Sequence, residues 1–141
     1  MTYRVVGLDP AKTRYVNWEV PGVERYLRLN RQGEPIQFGG SSRDLFLYVK
    51  DECLAELEEI LSAVFAGRAE VWRTEELIAA GFFGDGPLEA LRARVGNLVV
   101  LPYAGHAVFW YERGRFAMRH RGSHGGLTPD EMETGAYLLA L

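Results

Sequence analysis

The chain lacks most of the devices that staple, span or strongly charge a protein. Its one cysteine, Cys53, cannot form an internal disulfide, which excludes a disulfide-stapled scaffold. No apolar run is long enough to cross a bilayer and no signal peptide opens the sequence, so no membrane partner is expected. The free thiol is compatible with a reducing compartment, and a cytoplasmic setting is the expectation. The net charge is only −3 and no long basic block exists, which argues against nucleic acid as a partner. Internal repeats are absent too. What remains is 141 residues, nearly half of them apolar. That length suits one domain, which buries roughly 68–70% of its unfolded surface.

Periodicity divides the chain into alternating strands and helices. Tyr3–Val6 reads as a short strand. Tyr15–Val20 alternates, with Val16, Trp18 and Val20 on one face and Tyr15, Asn17 and Glu19 on the other, as a strand would. A helix is expected after Pro21 through Leu29, stopping near Gly33, and residues 31–42 read as a loop. Leu45–Val49 is an apolar strand fit for a sheet interior. Asp51 is the expected N-cap of a helix in which Leu54, Leu57, Leu61 and Val64 recur at helical spacing up to Gly67.

The second half continues the pattern. Ala69–Arg73 reads as a strand, and Thr74 as the cap of a short helix ending at Gly81, with Glu75 and Glu76 suited to its dipole. Gly86-Pro87 opens another helix carrying Leu88 and Leu91. Asn97–Leu101 is almost wholly apolar, the mark of burial on both faces. Ala107–Glu112 and Arg115–Arg119 read as a hairpin about Arg113-Gly114. The fold class is therefore α/β or α+β: a mixed sheet flanked by helices, with a C-terminal antiparallel hairpin, in a single domain over residues 1–141.

The most informative stretch is Arg121-Gly122-Ser123-His124-Gly125-Gly126-Leu127-Thr128-Pro129-Asp130-Glu131-Met132. A histidine framed by glycines precedes a helix start, with Thr128 as N-cap, Pro129 as first helical residue and Glu131 completing a capping box. An exposed imidazole on a stiff, crowded turn suits metal ligation, although one ligand alone makes no site.

The run Gly122–Met132 resembles the closing motif of the alkaline phosphatase superfamily, nearest to its type I phosphodiesterase/nucleotide pyrophosphatase branch. Three further segments agree in order. Gly40–Tyr48 resembles that branch's central arginine-bearing strand, Thr74–Gly84 its E-x-x-x-x-G-L-F-G segment, and Arg94–Leu101 its R-x-G-D strand, with Asn97 standing where the family usually has Asp. The resemblance covers roughly residues 40 to 133. It implies two divalent metals, usually zinc, held by Asp and His ligands, and a Thr or Ser nucleophile attacking phosphorus. The family's nucleophile region and Asp-His-Gly motif are not visible, so the resemblance carries over His124 as a metal ligand and no catalytic residue. It further implies that the chain is the C-terminal portion of a longer metal-dependent hydrolase of phosphate esters. On that reading its partners are the remainder of the catalytic domain and a phosphate-ester small molecule, and the chain alone holds no metal tightly and is inactive.

Other polar clusters have plainer readings. Arg113, Arg115, Arg119 and Arg121 form a basic run beside His124. It is either an ordinary solvated face or, through Arg119 and Arg121, a means of drawing an anionic substrate toward the metals. His120 lies four residues before His124, but the intervening glycines exclude a helical zinc pair and leave it at a strand end. His106 reads as structural, and Ser123 lacks an orienting carboxylate that would make it a nucleophile. Glu52, Glu56 and Glu59 form a solvated stripe, while Trp18, Trp72 and Trp110 read as core or half-buried packing. The alternative to a hydrolase part is an accessory or binding domain that kept the fold without the chemistry. A basic-hairpin module for phosphate-bearing partners is a third possibility.

Overall fold

Short pairings open the chain. In the computed structural model, residues 5–86, 88–116 and 118–133 are described. Strand β1 (Val6–Gly7) takes up the end of the expected Tyr3–Val6 strand, whose first two residues lie outside the described ones. Strand β2 (Thr13–Tyr15) follows a 3-10 turn capped by Asp9.

The Tyr15–Val20 segment is not a strand. Extended backbone ends at Tyr15, and Val16–Glu19 make a single helical turn, α1. Val16 and Val20 are buried while Trp18 is 58% exposed. Residues four apart satisfy strand alternation and a helical turn equally, so only Trp18 separates the two, and it faces solvent. The helix expected through Leu29 is likewise reduced to a 3-10 turn at Val23–Tyr26. Leu27 and Leu29 return to extended backbone, bridging Val49 and Pro35.

A four-stranded sheet forms the centre. Its strands are β3 (Gly39–Gly40), lying inside the stretch expected to be loop, β4 (Leu45–Leu47), β5 (Ala69–Arg73) and β6 (Leu98–Pro102). Their order is β3-β4-β6-β5, with antiparallel neighbours throughout. Since β4 and β5 both oppose β6, they run parallel to each other. Helix α2 (Leu54–Val64) joins them, and the later strand β6 fills the gap between them. The architecture is thus α+β.

Alternation along the strands sorts two cores. Leu45, Leu47, Leu98 and Val100 meet Leu57, Leu61 and Phe65, on and just after α2. Phe46, Val99 and Leu101 meet Leu77 and Val95 instead. These last two lie on α3 (Thr74–Ala79) and α4 (Leu88–Val95). Every residue of β6 is buried, because apolar side chains cover both its faces.

Several expected caps are used differently. Asp51 begins a 3-10 turn, and its carboxylate accepts from Arg28 Nη2 at 2.7 Å rather than capping α2. Thr74 is the first residue of α3, not its cap. Its buried hydroxyl donates to the Val95 carbonyl at 3.3 Å, while Glu76 accepts from the Arg73 N–H. Pro87 lies outside the described residues. Asn97 supplies an amide clamp: Oδ1 accepts from Val49 N and Nδ2 donates to Val49 O, both at 2.8 Å. A carboxylate at this position has no proton to offer that carbonyl.

Among the described residues the C-terminal antiparallel hairpin is present in shortened form. Strand β7 (Ala107–Phe109) instead pairs in parallel with β2, and one antiparallel bridge, Glu112–Phe116, flanks the turn at Gly114. Ala117, within the expected second strand, lies outside the described residues. Strand β8 (Gly122–Ser123) pairs antiparallel with β1, and α5 (Pro129–Met132) closes the described chain. No helix among the described residues is long and apolar enough to cross a membrane.

Candidate functional site

The turn between β3 and β4 forces the site into being. Gly40 has φ +75°, and a Cβ there would collide with the Asp44 carbonyl oxygen, so glycine alone permits the turn. Within it the Asp44 carboxylate accepts from the Ser41 N–H at 2.9 Å and from the Ser41 hydroxyl. The same hydroxyl lies 3.2 Å from the His124 carbonyl oxygen, and Ser42 Oγ lies 3.2 Å from Ser123 Oγ. Residues 41–44 thereby tie the glycine-rich segment to the sheet.

Arg43 carries the strongest tie. Its side chain is fully buried, as is that of Glu131 but for 2%. Nε and Nη2 donate to the two Glu131 oxygens at 2.9 and 2.8 Å, the bidentate geometry that suits a guanidinium–carboxylate pair. Nη1 donates to the Tyr103 carbonyl at 3.0 Å and to the His106 carbonyl. Glu131 also accepts from Thr128 Oγ1 at 2.7 Å and from the Gly126 N–H at 3.1 Å. Burial by itself would raise its carboxyl pKa. The bonds from Arg43 and Thr128, the guanidinium charge and the Gly126 N–H outweigh that and hold it at about 2. A side chain on Gly126 would strike the Glu131 carboxylate.

Thr128 does sit at the N-cap position of α5, with Pro129 next, but its hydroxyl donates to Glu131 instead of accepting a backbone N–H. The capping-box residues are all present. Their shared carboxylate has been taken by an arginine 88 positions away.

His124 is exposed, between β8 and Gly125. Asp44 is within electrostatic reach of it: burial raises the Asp44 pKa, while the Ser41 bonds and the His124 charge pull it down. Gly125 has φ +106°, and a Cβ there would lie 3.1 Å from Asp44 Oδ1. The sequence therefore pointed to the loop but not to Arg43 or Asp44, which hold it. The signal for Arg43 was present: it is the one arginine of the Gly40–Tyr48 segment.

The other candidates disperse. His106 is half-buried, and its imidazole Nδ1 finds no hydrogen-bond partner among the described residues. Burial, and then the charges of Lys12, Arg68, Arg14 and Arg43, lower its pKa below that of a free imidazole. Ser123 pairs with Ser42, not with a base. Glu52, Glu56 and Glu59 are exposed, and Cys53 packs part-buried against the main core. Of the tryptophans, Trp110 is 2% exposed and Trp72 38%, but Trp18 departs from the packing expectation.

The basic run splits in two. Arg115 pairs with Glu112 at 3.3 Å beside exposed Arg113. Arg119 and Arg121, with His120, instead line a cavity of about 450 Å³ near the N-terminal segment, which His124 does not line. Among the described residues, no group of three or more His, Cys, Asp or Glu side chains could hold a metal ion.

No protein-family model matches this chain, and no curated protein matches its sequence. A solved structure shares its fold: human ectonucleotide pyrophosphatase/phosphodiesterase 5, 12% identical, with a TM-score of 0.52 over 86% of this chain. The match takes in 27% of that protein, so the chain spans about a quarter of its length. At such identity the likeness concerns the fold alone.

Proposed function

We propose that this chain is the C-terminal portion of a longer two-metal hydrolase of the phosphodiesterase/phosphatase type, acting on phosphate esters. The observation that carries the reading is an agreement of two kinds. The ordered motifs across residues 40–133 resemble the same branch whose member shares the fold over 86% of the chain.

The residues present fit one part of a metal centre. His124 offers an exposed imidazole, the donor that zinc prefers among nitrogen ligands. Its loop is anchored on both sides, by Ser123 beside Ser42 before it and by Gly125 beside Asp44 and the Gly126 N–H on Glu131 after it. The Asp44 carboxylate, close enough to interact with the His124 charge, is the kind of outer group that orients a metal-ligating histidine. The remaining ligands and the nucleophile then come from the rest of the catalytic domain. When bound, two divalent ions, zinc by preference, would activate the nucleophile and neutralise charge on the transferring phosphoryl group. Arg43 is sealed from substrate and acts as a positioning residue. Arg119 and Arg121 are the exposed cations suited to attracting an anionic ester.

His124→Ala in the longer protein tests the assignment: metal content and hydrolysis should fall together. If both stay unchanged, His124 is a turn residue and the reading fails. The chain alone, assayed with a chromogenic phosphodiester and added zinc or manganese, should show no turnover. Turnover that survives repurification and is lost in His124→Ala would show a complete site within this chain.

A further inference from the structure

We propose that the cavity between the N-terminal segment and residues 118–121 is a separate binding site for a small ligand combining a phosphate with an aromatic ring. Its volume, about 450 Å³, falls in the range of small-molecule sites. Arg14, Arg119 and Arg121 line it together with His120, and Glu19 is the one carboxylate among the lining residues. Glu19 is already paired, 3.4 Å from Arg14 Nε. Arg14 is further held through Nη1 by the carbonyls of Ala11 and Thr13, both at 2.9 Å, so one cationic wall is fixed in place. No other lining carboxylate faces Arg119 and Arg121 across the cavity. Guanidinium forks of this kind match phosphate geometry.

The second half of the recognition is aromatic. Trp18 lines the same cavity at 58% exposure, although Val16 and Val20 on either side of it are buried. It is not loosely placed. Its ring centroid lies 4.7 Å from that of Tyr15 and 4.5 Å from that of Tyr111, and the Tyr15 hydroxyl accepts from the Met118 N–H at 3.0 Å. An indole braced by two rings, with more than half its surface open beside three arginines, is a preorganised stacking face. Neither wall suffices alone, since inorganic phosphate would leave the ring bare and an uncharged nucleoside would leave the arginines unused. This inference shares Arg119 and Arg121 with the substrate-attraction reading but not the metal ligand, because His124 is not part of the cavity.

The test titrates the chain at low salt with AMP, phenyl phosphate, inorganic phosphate and adenosine, followed by tryptophan fluorescence and calorimetry. AMP and phenyl phosphate should bind saturably and quench fluorescence, phosphate should bind more weakly, and adenosine should not bind in the same range. A preference for AMP over phenyl phosphate narrows the class to nucleoside phosphates, while equal binding supports aryl phosphates at large. The double variant Arg119→Ala/Arg121→Ala should weaken AMP binding about tenfold or more. Trp18→Leu should erase the advantage of AMP over phosphate while phosphate binding persists, and Arg115→Ala, outside the cavity, should change neither. Circular dichroism confirms that the variants fold. The proposal is overturned if no aromatic phosphate binds, if the arginine variant binds AMP as well as the parent chain, or if Arg115→Ala alone abolishes binding.

Discussion

Arginine plays two opposite parts in this molecule. Arg43 has lost all contact with water and is answered by Glu131 and two backbone carbonyls. Arg115, Arg119 and Arg121 keep their charges in solvent, where an ion pair such as Arg115–Glu112 contributes little. The difference lies in what surrounds the chain. Residues 41–44 and 122–131 are locked around a buried charge that must be compensated completely. Residues 112–121 are held by one bridge, a turn and backbone bonds to Tyr15 and Leu8, none of which demands that their arginines be paired. Position in the motif thus depends on buried electrostatics, and the open basic wall on freedom from it.

Breaking the buried pair should have the largest effect. Glu131→Ala leaves Arg43 an uncompensated buried cation and should cost about 3–5 kcal/mol in urea unfolding. A loss no larger than that of Arg115→Ala would erase the contrast. Leu57→Ala, at a fully buried position on α2, calibrates it against purely apolar packing and should cost about 2–5 kcal/mol. A change under half a kcal/mol would mean that the α2 core packs loosely enough to refill the space.

The buried pair should also carry an acid signature. The Glu131 carboxyl is depressed from 4.5 to about 2, so its contribution is complete above pH 4.5 and is lost as pH falls toward 2. By linkage that is worth roughly 3 kcal/mol at most. Asp44, whose pKa is raised, acts in the opposite sense and trims the loss. Urea midpoints followed from neutrality downward should drop through this window, and Glu131→Gln should flatten the drop. An equally steep curve in that variant would put the acid sensitivity elsewhere.

Smaller effects sharpen the comparison. Asn97→Asp removes the donor to the Val49 carbonyl and should destabilise by about 1–3 kcal/mol. Neutral stability would mean that the clamp's second bond is dispensable. Arg115→Ala should stay within about 0.5 kcal/mol, as exposed pairs do. A larger change would show that the basic run is structural after all.

These regions also differ in how far the sequence revealed them. The four central elements, β4, α2, β5 and β6, stand in it plainly because each is long or apolar enough for one period to win. Residues 16–29 misled because Val16 and Val20 fit two periods and tertiary packing decided between them. The hairpin is shorter than expected because β7 found a partner in β2, more than ninety residues earlier, a choice no local turn signal encodes. His124 was visible through its glycines. Its supports were not, since the Arg43–Glu131 pair joins residues 88 apart and a capping-box pattern disguised the acid's true partner.

The topology sets a timetable for the growing chain. Strands β4 and β5 flank a place in the sheet that stays vacant until residues 98–102 have been synthesised. Arg43 waits longer, because its carboxylate lies 88 residues downstream. At ordinary translation rates this is on the order of ten seconds, during which the guanidinium must stay hydrated or be answered by a substitute. A nascent or truncated chain ending before Glu131 therefore carries a cation it cannot bury, and the sheet edge around β3 and β4 should be the last part to settle.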